Sequence, residues 1–265
     1  MSPFSKYIYR MQIETNEIVK FCEKYLKIEN FKDSCVNGLQ VEGAPQVGKI
    51  ITGVSLSEEI IKIAIQQKAQ MLIVHHGLSD KQIPTPIQIK GIVKNRLKLL
   101  LENNINLCRF HLPLDGHPII GNNISLLKLL NLKKVGIIHP PYYGHIGFIG
   151  QTKTPISFQS FVKLVNDKLQ TKSYVIPAGP KNVSKIGIIS GGAEKEFVLA
   201  TKAGADTYLT GSICESMVAP IKETKINFIN AGHYNTEKLG IQNLGNLIAK
   251  KFNIEVEFVD VPCDV

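Results

Sequence analysis

The sequence contains no pair of cysteines spaced for a structural metal site or a redox motif. Its five cysteines are scattered along the chain, at Cys22, Cys35, Cys108, Cys214 and Cys263. An odd number of widely separated cysteines argues against a disulfide framework and against a zinc site built from thiolates. This usage is typical of a reducing compartment, so we expect a cytoplasmic protein.

Long hydrophobic runs are also absent. No segment approaches the roughly 20 consecutive apolar residues that a membrane-spanning helix needs. The first twenty residues lack the apolar core of a secretory signal, and residues 1–10, before Met11, are expected to form a loose extension. The sequence also lacks the Walker-type GxxxxGK(S/T) motif, so a nucleotide would have to bind in another mode.

The net charge of +9 suggests an anionic partner, but its distribution argues against nucleic acid. The 31 basic residues outnumber the 22 acidic residues, yet the lysines are spread along the chain and form no cluster longer than a pair. No zinc finger, arginine-rich arm or RNP-type aromatic motif accompanies them. We therefore interpret the charge first as solvated surface and second as help in binding a small anionic substrate, and specific nucleic-acid binding is not expected.

Strand and helix patterns alternate along the chain. Apolar, β-branched runs predict strands at residues 49–55, 71–75, 105–111, 135–138, 145–149, 185–190, 206–210, 226–230 and 254–259. Amphipathic periodicity predicts helices at residues 57–69, 87–103, 121–130, 157–169, 193–203 and 235–251. With 265 residues, 44% of them hydrophobic, the chain can form one large domain or two modest ones. This alternation indicates an α/β fold with mostly parallel sheets covered by helices.

Turn-rich segments suggest where domains begin and end. Proline-containing turns at residues 139–141 and 152–155 bracket a region where the pattern changes. We expect a first α/β domain over residues 11–134 and a second α/β domain over residues 135–229.

Three groups of possible metal ligands follow predicted strands, which is where sites form in open α/β sheets. The first is His75 and His76, before Gly77. Neighbouring residues of a strand point to opposite faces, but at a strand end both can turn toward one cavity. Two adjacent imidazoles suit two neighbouring metals, whereas the simpler interpretation is one core histidine and one surface histidine.

The second group lies in the segment FHLPLDGHP at residues 110–118. Asp115 is a candidate ligand, and His111 and His117 are candidates for a partner of a ligand or a proton shuttle. Pro113 and Pro118 forbid a regular helix through the segment, which is therefore predicted to be a loop of fixed shape. The alternative is a proline-stiffened turn in which the aspartate caps the backbone.

The third group opens the last predicted helix. His233 and Glu237 lie four residues apart and share one face of a helix, where they can bind one cation together. The positive end of the helix dipole disfavours a metal unless the carboxylate supplies compensating charge. The alternative is a helix cap at Asn235 or Thr236 with the glutamate on the surface.

Together the three groups predict a metal centre. Mixed imidazole and carboxylate ligands suit Zn, Fe or Mn, and five ligands are enough for two divalent ions with a shared carboxylate.

The segments HHG, RFHLPLDGHPIIGNN and GHYNTEKLG resemble the Nif-three-like family, whose members are also known as GTP cyclohydrolase 1 type 2 homologues. The segment NGLQVEG at residues 37–43 and the turn SGG at residues 190–192 add to the resemblance. It extends from about residue 11 to the C-terminus, and the length fits the short bacterial form.

The resemblance implies a ligand set, a fold and an assembly. The implied ligands of two divalent metal ions per chain are His75, His76, Asp115, His233 and Glu237. Glu237 is the implied bridging ligand. The implied fold is the two-domain Nif-three-like fold, in which residues 230–265 return to the first, metal-binding domain. The implied assembly is a homohexamer, a trimer of dimers with the metal sites facing an internal cavity.

The family name suggests a metal-dependent hydrolase, with GTP as a candidate substrate. Water activated by the metals would attack C8 of the purine, His111 or His117 would move protons, and lysines near the cavity would hold the triphosphate. Phosphoester hydrolysis is equally compatible with two metals. A non-enzymatic metal-handling or regulatory hexamer is the other alternative, and a closed set of ligands with no substrate-sized pocket would favour it.

Overall fold

The structure is a computed structural model that describes residues 11–78, 88–141 and 144–263. The predicted loose extension at residues 1–10 lies outside these ranges. No helix within the described ranges is long and apolar enough to cross a membrane.

Strands and helices alternate through the described chain. The strands are β1 (Ile13–Glu14), β2 (Gly38–Val41), β3 (Gln46–Val47), β4 (Lys49–Ser55), β5 (Met71–His76), β6 (Asn106–Arg109), β7 (Lys133–Ile138), β8 (Gly147–Ser157), β9 (Tyr174–Pro177), β10 (Asn182–Ile188), β11 (Thr207–Thr210), β12 (Asn227–Asn230) and β13 (Glu255–Phe258). The helices are α1 (Thr15–Leu26), α2 (Glu58–Gln66), α3 (Gly91–Glu102), α4 (Leu112–Gly116), α5 (Asn122–Leu129), α6 (Phe158–Leu169), α7 (Phe197–Lys202), α8 (Glu215–Glu223) and α9 (His233–Phe252). Short 3-10 turns occupy Ile28–Asn30 and Glu194–Glu196.

The first of two large sheets has the strand order β13-β4-β5-β6-β2. Its strands run parallel except β2, which pairs antiparallel with β6. Ile50 and Ile73 share a core with α1 and α9, whereas Ile51 and Leu72 share a core with α2 and α3. Because both faces are covered, β4 and β5 carry consecutive apolar residues, as at Ile50 and Ile51 and at residues 71–74.

The second large sheet has the order β7-β8-β10-β11-β12-β9. Its central strands β10, β11 and β12 are parallel, and the outer pairings are antiparallel. Leu209 packs in a core with α5 and α6, and Tyr208, its neighbour, packs in a core with α7 and α8. The expected α/β fold with mostly parallel sheets is thus confirmed for the first sheet, where β2 is the one antiparallel strand among those described, and for the centre of the second. The antiparallel pairing of the outer strands of the second sheet was not predicted.

The long helix α9 connects the two sheets. It follows β12 of the second sheet and packs against β4, β5 and β13 of the first. Ile241, Leu244 and Ile248 bury their side chains completely in that core. The first turn of α9, with His233 and Glu237, is consequently placed where the two sheets meet. The domain limits at residues 11–134 with 230–265 and at 135–229 remain a prediction.

The segment after β6 corrects one expectation. Residues 112–116 form the short helix α4, although prolines were expected to prevent any regular helix. Pro113 lies in the first turn of α4, where backbone N–H groups have no acceptor within the helix. A proline at this position therefore removes no helical hydrogen bond. Strand β9 and helix α8 were also not predicted, and α8 contains Pro220, a residue that normally ends a helix.

We expect Ile241→Ala to lower the free energy of unfolding by about 2–5 kcal/mol, because truncating this fully buried side chain leaves a cavity beneath α9. Urea unfolding followed by circular dichroism measures the change. The control is Leu101→Ala on α3, where the side chain is 56% exposed and the loss should stay below about 0.5 kcal/mol. Equal losses in the two variants would contradict the packing of α9.

Candidate metal centre

Six chemically active side chains meet where the carboxyl ends of the two sheets face each other. β5 ends with two of them, the segment after β6 contributes two, and the first turn of α9 contributes two. They are His75, His76, His111, Asp115, His233 and Glu237. All five predicted metal ligands are therefore brought together, along with one of the two histidines predicted to move protons.

The buried carboxylate of Glu237 lies at the centre of this group. Its Oε1 is 3.5 Å from His75 Nε2, and its Oε2 is 3.2 Å from His76 Nε2 and 3.1 Å from His233 Nε2. The spacing of four residues on α9 places His233 beside the carboxylate, as the sequence predicts. One carboxylate oxygen thus faces β5 alone, and the other faces both β5 and α9.

The outer nitrogens of the β5 histidines are held by other groups. His75 Nδ1 is 2.9 Å from the Phe110 carbonyl oxygen, and His76 Nδ1 is 3.1 Å from Ser55 Oγ. A hydrogen bond at Nδ1 fixes the ring and directs Nε2 inward, which is how metal-binding histidines are usually oriented.

Asp115 is oriented in the same manner. Its Oδ1 accepts hydrogen bonds from Asn122 Nδ2 at 2.8 Å and from Ser190 Oγ at 3.0 Å. Its Oδ2 faces the cluster, 3.5 Å from His75 Nε2. The predicted alternative, an aspartate that only caps a turn, does not describe this buried side chain.

The donor atoms fit a cation. His75 Nε2 and Glu237 Oε2 are buried, and neither has a hydrogen-bond partner among the described residues. Two groups of three ligands share the glutamate: His75 with Asp115 and Glu237, and His76 with His233 and Glu237. Two cations bridged by one carboxylate would satisfy both groups, and this donor set suits Zn, Fe or Mn.

The electrostatics of the centre also call for positive charge. Burial opposes protonation of His75, but Asp115 and Glu237 raise the pKa of its imidazole to about 9. Burial lowers the pKa of His76 to about 3. Burial alone would raise the pKa of Glu237, yet the imidazoles of His75 and His76 hold it well below its usual range. Two buried carboxylates without enough cationic charge are unfavourable, and a divalent ion would correct the balance.

His111 is held by a carboxylate that the sequence motifs do not reveal. Its Nδ1 lies 3.1 Å from both oxygens of Asp33, and Asn37 Oδ1 accepts a hydrogen bond from the backbone N–H of His111. Burial alone would raise the pKa of Asp33, but its contacts with His111, Cys35 and Asn37 lower it. The sequence points to this region only through the segment NGLQVEG, which begins at Asn37 and carries part of the family resemblance. That segment does not include Asp33 and indicates no role for it.

His117 is not part of the centre. Its Nε2 is bonded to the Tyr25 carbonyl oxygen at 3.1 Å, and its Nδ1 accepts from the backbone N–H groups of Ile119 and Ile120 at 3.3 Å. The ring stacks on Tyr25 with 4.9 Å between centroids. Because both nitrogens are used in holding the backbone, the predicted role of His117 in proton transfer is not supported.

A cavity of about 400 Å³ opens beside the cluster. Its wall includes the 3-10 turn Glu194–Glu196 opposite the ligand side chains. Glu194 Oε2 accepts a hydrogen bond of 2.8 Å from Ser212 Oγ. Lys195 is the one lysine or arginine among the described lining residues. The cavity is large enough for a small molecule and predominantly acidic.

The turn after β10 approaches the centre closely at Gly191. Its φ of +67° lies in the left-handed region, and a Cβ there would collide with Glu237 Oε1 and lie 3.1 Å from His233 Nε2. The glycine of the SGG segment is thus required by both its backbone conformation and its contact with the carboxylate.

Comparison with known proteins identifies relatives along the whole described fold. A family model described as Duf34/NIF3 (NGG1p interacting factor 3) matches residues 13–264. A Pseudomonas aeruginosa protein named GTP cyclohydrolase 1 type 2 homolog is 38% identical over 252 residues, covering 95% of this chain and 99% of that protein. A Pyrococcus horikoshii protein of the same name is 36% identical, covering 94% and 99%.

Solved structures show the same fold. The protein ybgI, described as of unknown function, has a TM-score of 0.90 at 32% identity, covering 96% of this chain and 100% of that chain. TTHA1606 from Thermus thermophilus has a TM-score of 0.85 at 31% identity, with the same coverage. Reduced HcgD from Methanocaldococcus jannaschii shares the fold at 23% identity, with a TM-score of 0.82, covering 94% and 99%.

We expect Gly191→Ala to weaken divalent-metal binding at least about tenfold, because the added methyl group displaces the Glu237 carboxylate. Isothermal titration of the metal-stripped protein with Zn²⁺ measures this loss. Gly204→Ala is the matched control, since its φ is also positive, at +79°, but no atom lies within 4 Å of the added Cβ. It should cost about 1 kcal/mol of stability and leave the metal affinity unchanged. Identical affinities in the two variants would refute the role assigned to Gly191.

Proposed function

The chain belongs to the Duf34/NIF3 family, and we propose that it is a dinuclear divalent-metal-binding protein that acts as a metal-dependent hydrolase. The observation that carries this proposal is the sharing of one buried carboxylate, Glu237, by two groups of three ligand side chains beside a cavity. A centre that only stabilised the fold would not need a cavity of substrate size next to it.

In this proposal, the five predicted ligands hold two ions, with Glu237 common to both. His75 and Asp115 complete one group, and His76 and His233 complete the other. Bound divalent ions supply Lewis-acid chemistry and lower the pKa of water toward neutrality. The hydrogen bonds to Phe110, Ser55, Asn122 and Ser190 keep the donor atoms aimed inward.

His111 is the residue that we assign to proton transfer. Its ring lines the cavity and lies 5.0 Å from the ring of His75. Asp33 anchors Nδ1, which leaves Nε2 to accept or donate a proton at the substrate. The contact with Asp33 also fixes the orientation of the imidazole ring at the cavity wall.

The charge of the cavity wall bears on the identity of the substrate. A triphosphate would meet Glu194 and Glu196, with Lys195 as the one lysine or arginine among the described lining residues. Of the lysines that were expected to hold a triphosphate, the described part of this wall supplies Lys195 alone. GTP, with ring opening at C8 of its purine, is the first substrate to test, because the relatives are named GTP cyclohydrolase 1 type 2 homolog. The acidic wall nevertheless favours a substrate of lower charge. The same consideration weakens the case for highly charged phosphoesters.

The acidic wall favours a second candidate function, metal handling without catalysis. Carboxylates around an opening raise the local concentration of cations, so Glu194 and Glu196 would assist the entry and exit of metal ions. Under either function, we propose a cytoplasmic homohexamer arranged as a trimer of dimers, on the strength of the family resemblance. Sedimentation velocity tests the assembly directly.

We expect protein purified without added metal to contain about two divalent ions per chain, and Glu237→Gln to lose most of both, because the amide removes the shared negative charge. Mass spectrometry of the metals measures this. Glu223→Gln, at an exposed position on α8, is the control and should retain the parent content. A parent that binds no Zn, Mn or Fe(II) even when they are supplied would reject the dinuclear centre.

We expect the metal-loaded parent to turn over GTP or a less charged purine derivative, and His111→Asn to lower kcat about 10²–10⁴-fold while keeping both ions. Chromatographic detection of the ring-opened product measures the rate. His117→Asn should leave kcat within about twofold, since both of its ring nitrogens bond to the backbone away from the cavity. A full complement of metal with no turnover of any hydrolysable purine or phosphoester would favour metal handling.

A further inference from the structure

A second cavity lies apart from the metal centre. Its volume is about 730 Å³, and its lining comes from α1, the residues that follow α1, the connection between α4 and α5, β7, β8 and the end of α9. His117 belongs to its wall, whereas none of the five predicted metal ligands does. The histidine that the metal centre does not use is therefore a structural part of this cavity, because its ring stacks on Tyr25.

The interior of this cavity is apolar and largely aromatic. Phe21, Tyr25 and Phe31 line one side, and Phe148 lines another. At the opening, Ile119 is 59% exposed. Large apolar side chains left in water around a concave surface mark a place where an apolar body binds, and the volume falls within the range of small-molecule pockets.

The rim carries positive charge only, as far as the described lining residues show. It includes four exposed lysines, Lys24, Lys27, Lys134 and Lys251. No described aspartate or glutamate lines the cavity, and none of these four ammonium groups lies within 4.0 Å of a carboxylate of the described chain. Lys134 Nζ instead lies 4.0 Å from the centre of the Phe148 ring. The rim is thus an unneutralised cationic border around an aromatic interior.

We propose that this cavity binds a small anionic amphiphile, a molecule with an apolar body of about ten carbon atoms and a carboxylate or sulfonate head. The aromatic walls take the apolar body, and the lysines bind the head from the rim. Charge complementarity argues for an anion, because four lysines border the cavity and no carboxylate among the described lining residues offsets them.

The test uses two anionic probes on the full chain. The dye 1-anilinonaphthalene-8-sulfonate is titrated into the protein and its binding is followed by fluorescence. Decanoate and decyltrimethylammonium are then added, below their micellar concentrations, to compete with the dye for the cavity. We expect decanoate to displace the dye and the cation of equal length to fail. The double variant Lys24→Glu with Lys251→Glu should bind the dye and decanoate about tenfold or more weakly than the parent. Lys153→Glu with Lys172→Glu changes the same charge at exposed positions outside the cavity and should leave the affinities within about twofold.

The proposal is independent of the proposed hydrolase, so the double variant should keep the parent metal content. Equal competition by decanoate and its cationic counterpart, or equal weakening in the two double variants, would overturn it. Binding only to vesicles of anionic phospholipid, with no binding of free decanoate, would overturn it as well. If a maleimide fails to label position 119 of Ile119→Cys in the native assembly, and the dye does not bind, the surface is instead covered by a second copy of the chain.

Discussion

The buried carboxylate of Glu237 sets a requirement that the two sheets and the helix between them satisfy. An ionised carboxylate removed from water is tolerated only beside cationic or hydrogen-bonding groups. Here three imidazoles approach it within 3.1–3.5 Å, two from β5 and one from the same turn of α9. Because β5 and α9 are distant in sequence, the carboxylate is balanced only when the chain is fully folded.

Close backbone contacts keep this arrangement rigid. Asn122 donates to Asp115 and accepts from the backbone N–H of Gly240, so one buried amide joins the aspartate to α9. Thr236 accepts from the backbone N–H of Gly191, which ties the turn after β10 to the same helix. A centre supported by hydrogen bonds from separate elements loses its geometry when any one element shifts, which suits the precise placement that metal chemistry needs.

Charge is distributed unevenly over the molecule. The chain as a whole is basic, yet the cavity beside the metal centre is walled by Asp33, Glu194 and Glu196 with a single lysine among its described residues. Exposed lysines gather instead around the separate aromatic cavity. The excess positive charge is therefore no guide to what the cavity beside the candidate metal centre binds. It describes the outer surface and a separate site where an anion would be favoured.

Local pattern is enough to locate the ligand residues, since hydrophobic periodicity marks where a strand ends and a spacing of four marks one face of a helix. The sequence by itself therefore places His75 at the end of a strand and His233 shortly after another, where sites form. The roles of Asp33 and His117 are decided only by the tertiary structure. Asp33 reaches His111 across 78 positions, and His117 turns away to a carbonyl 92 positions earlier. The direction of a side chain in a connecting segment depends on which remote segments pack against it, and neighbours in sequence carry no information about that.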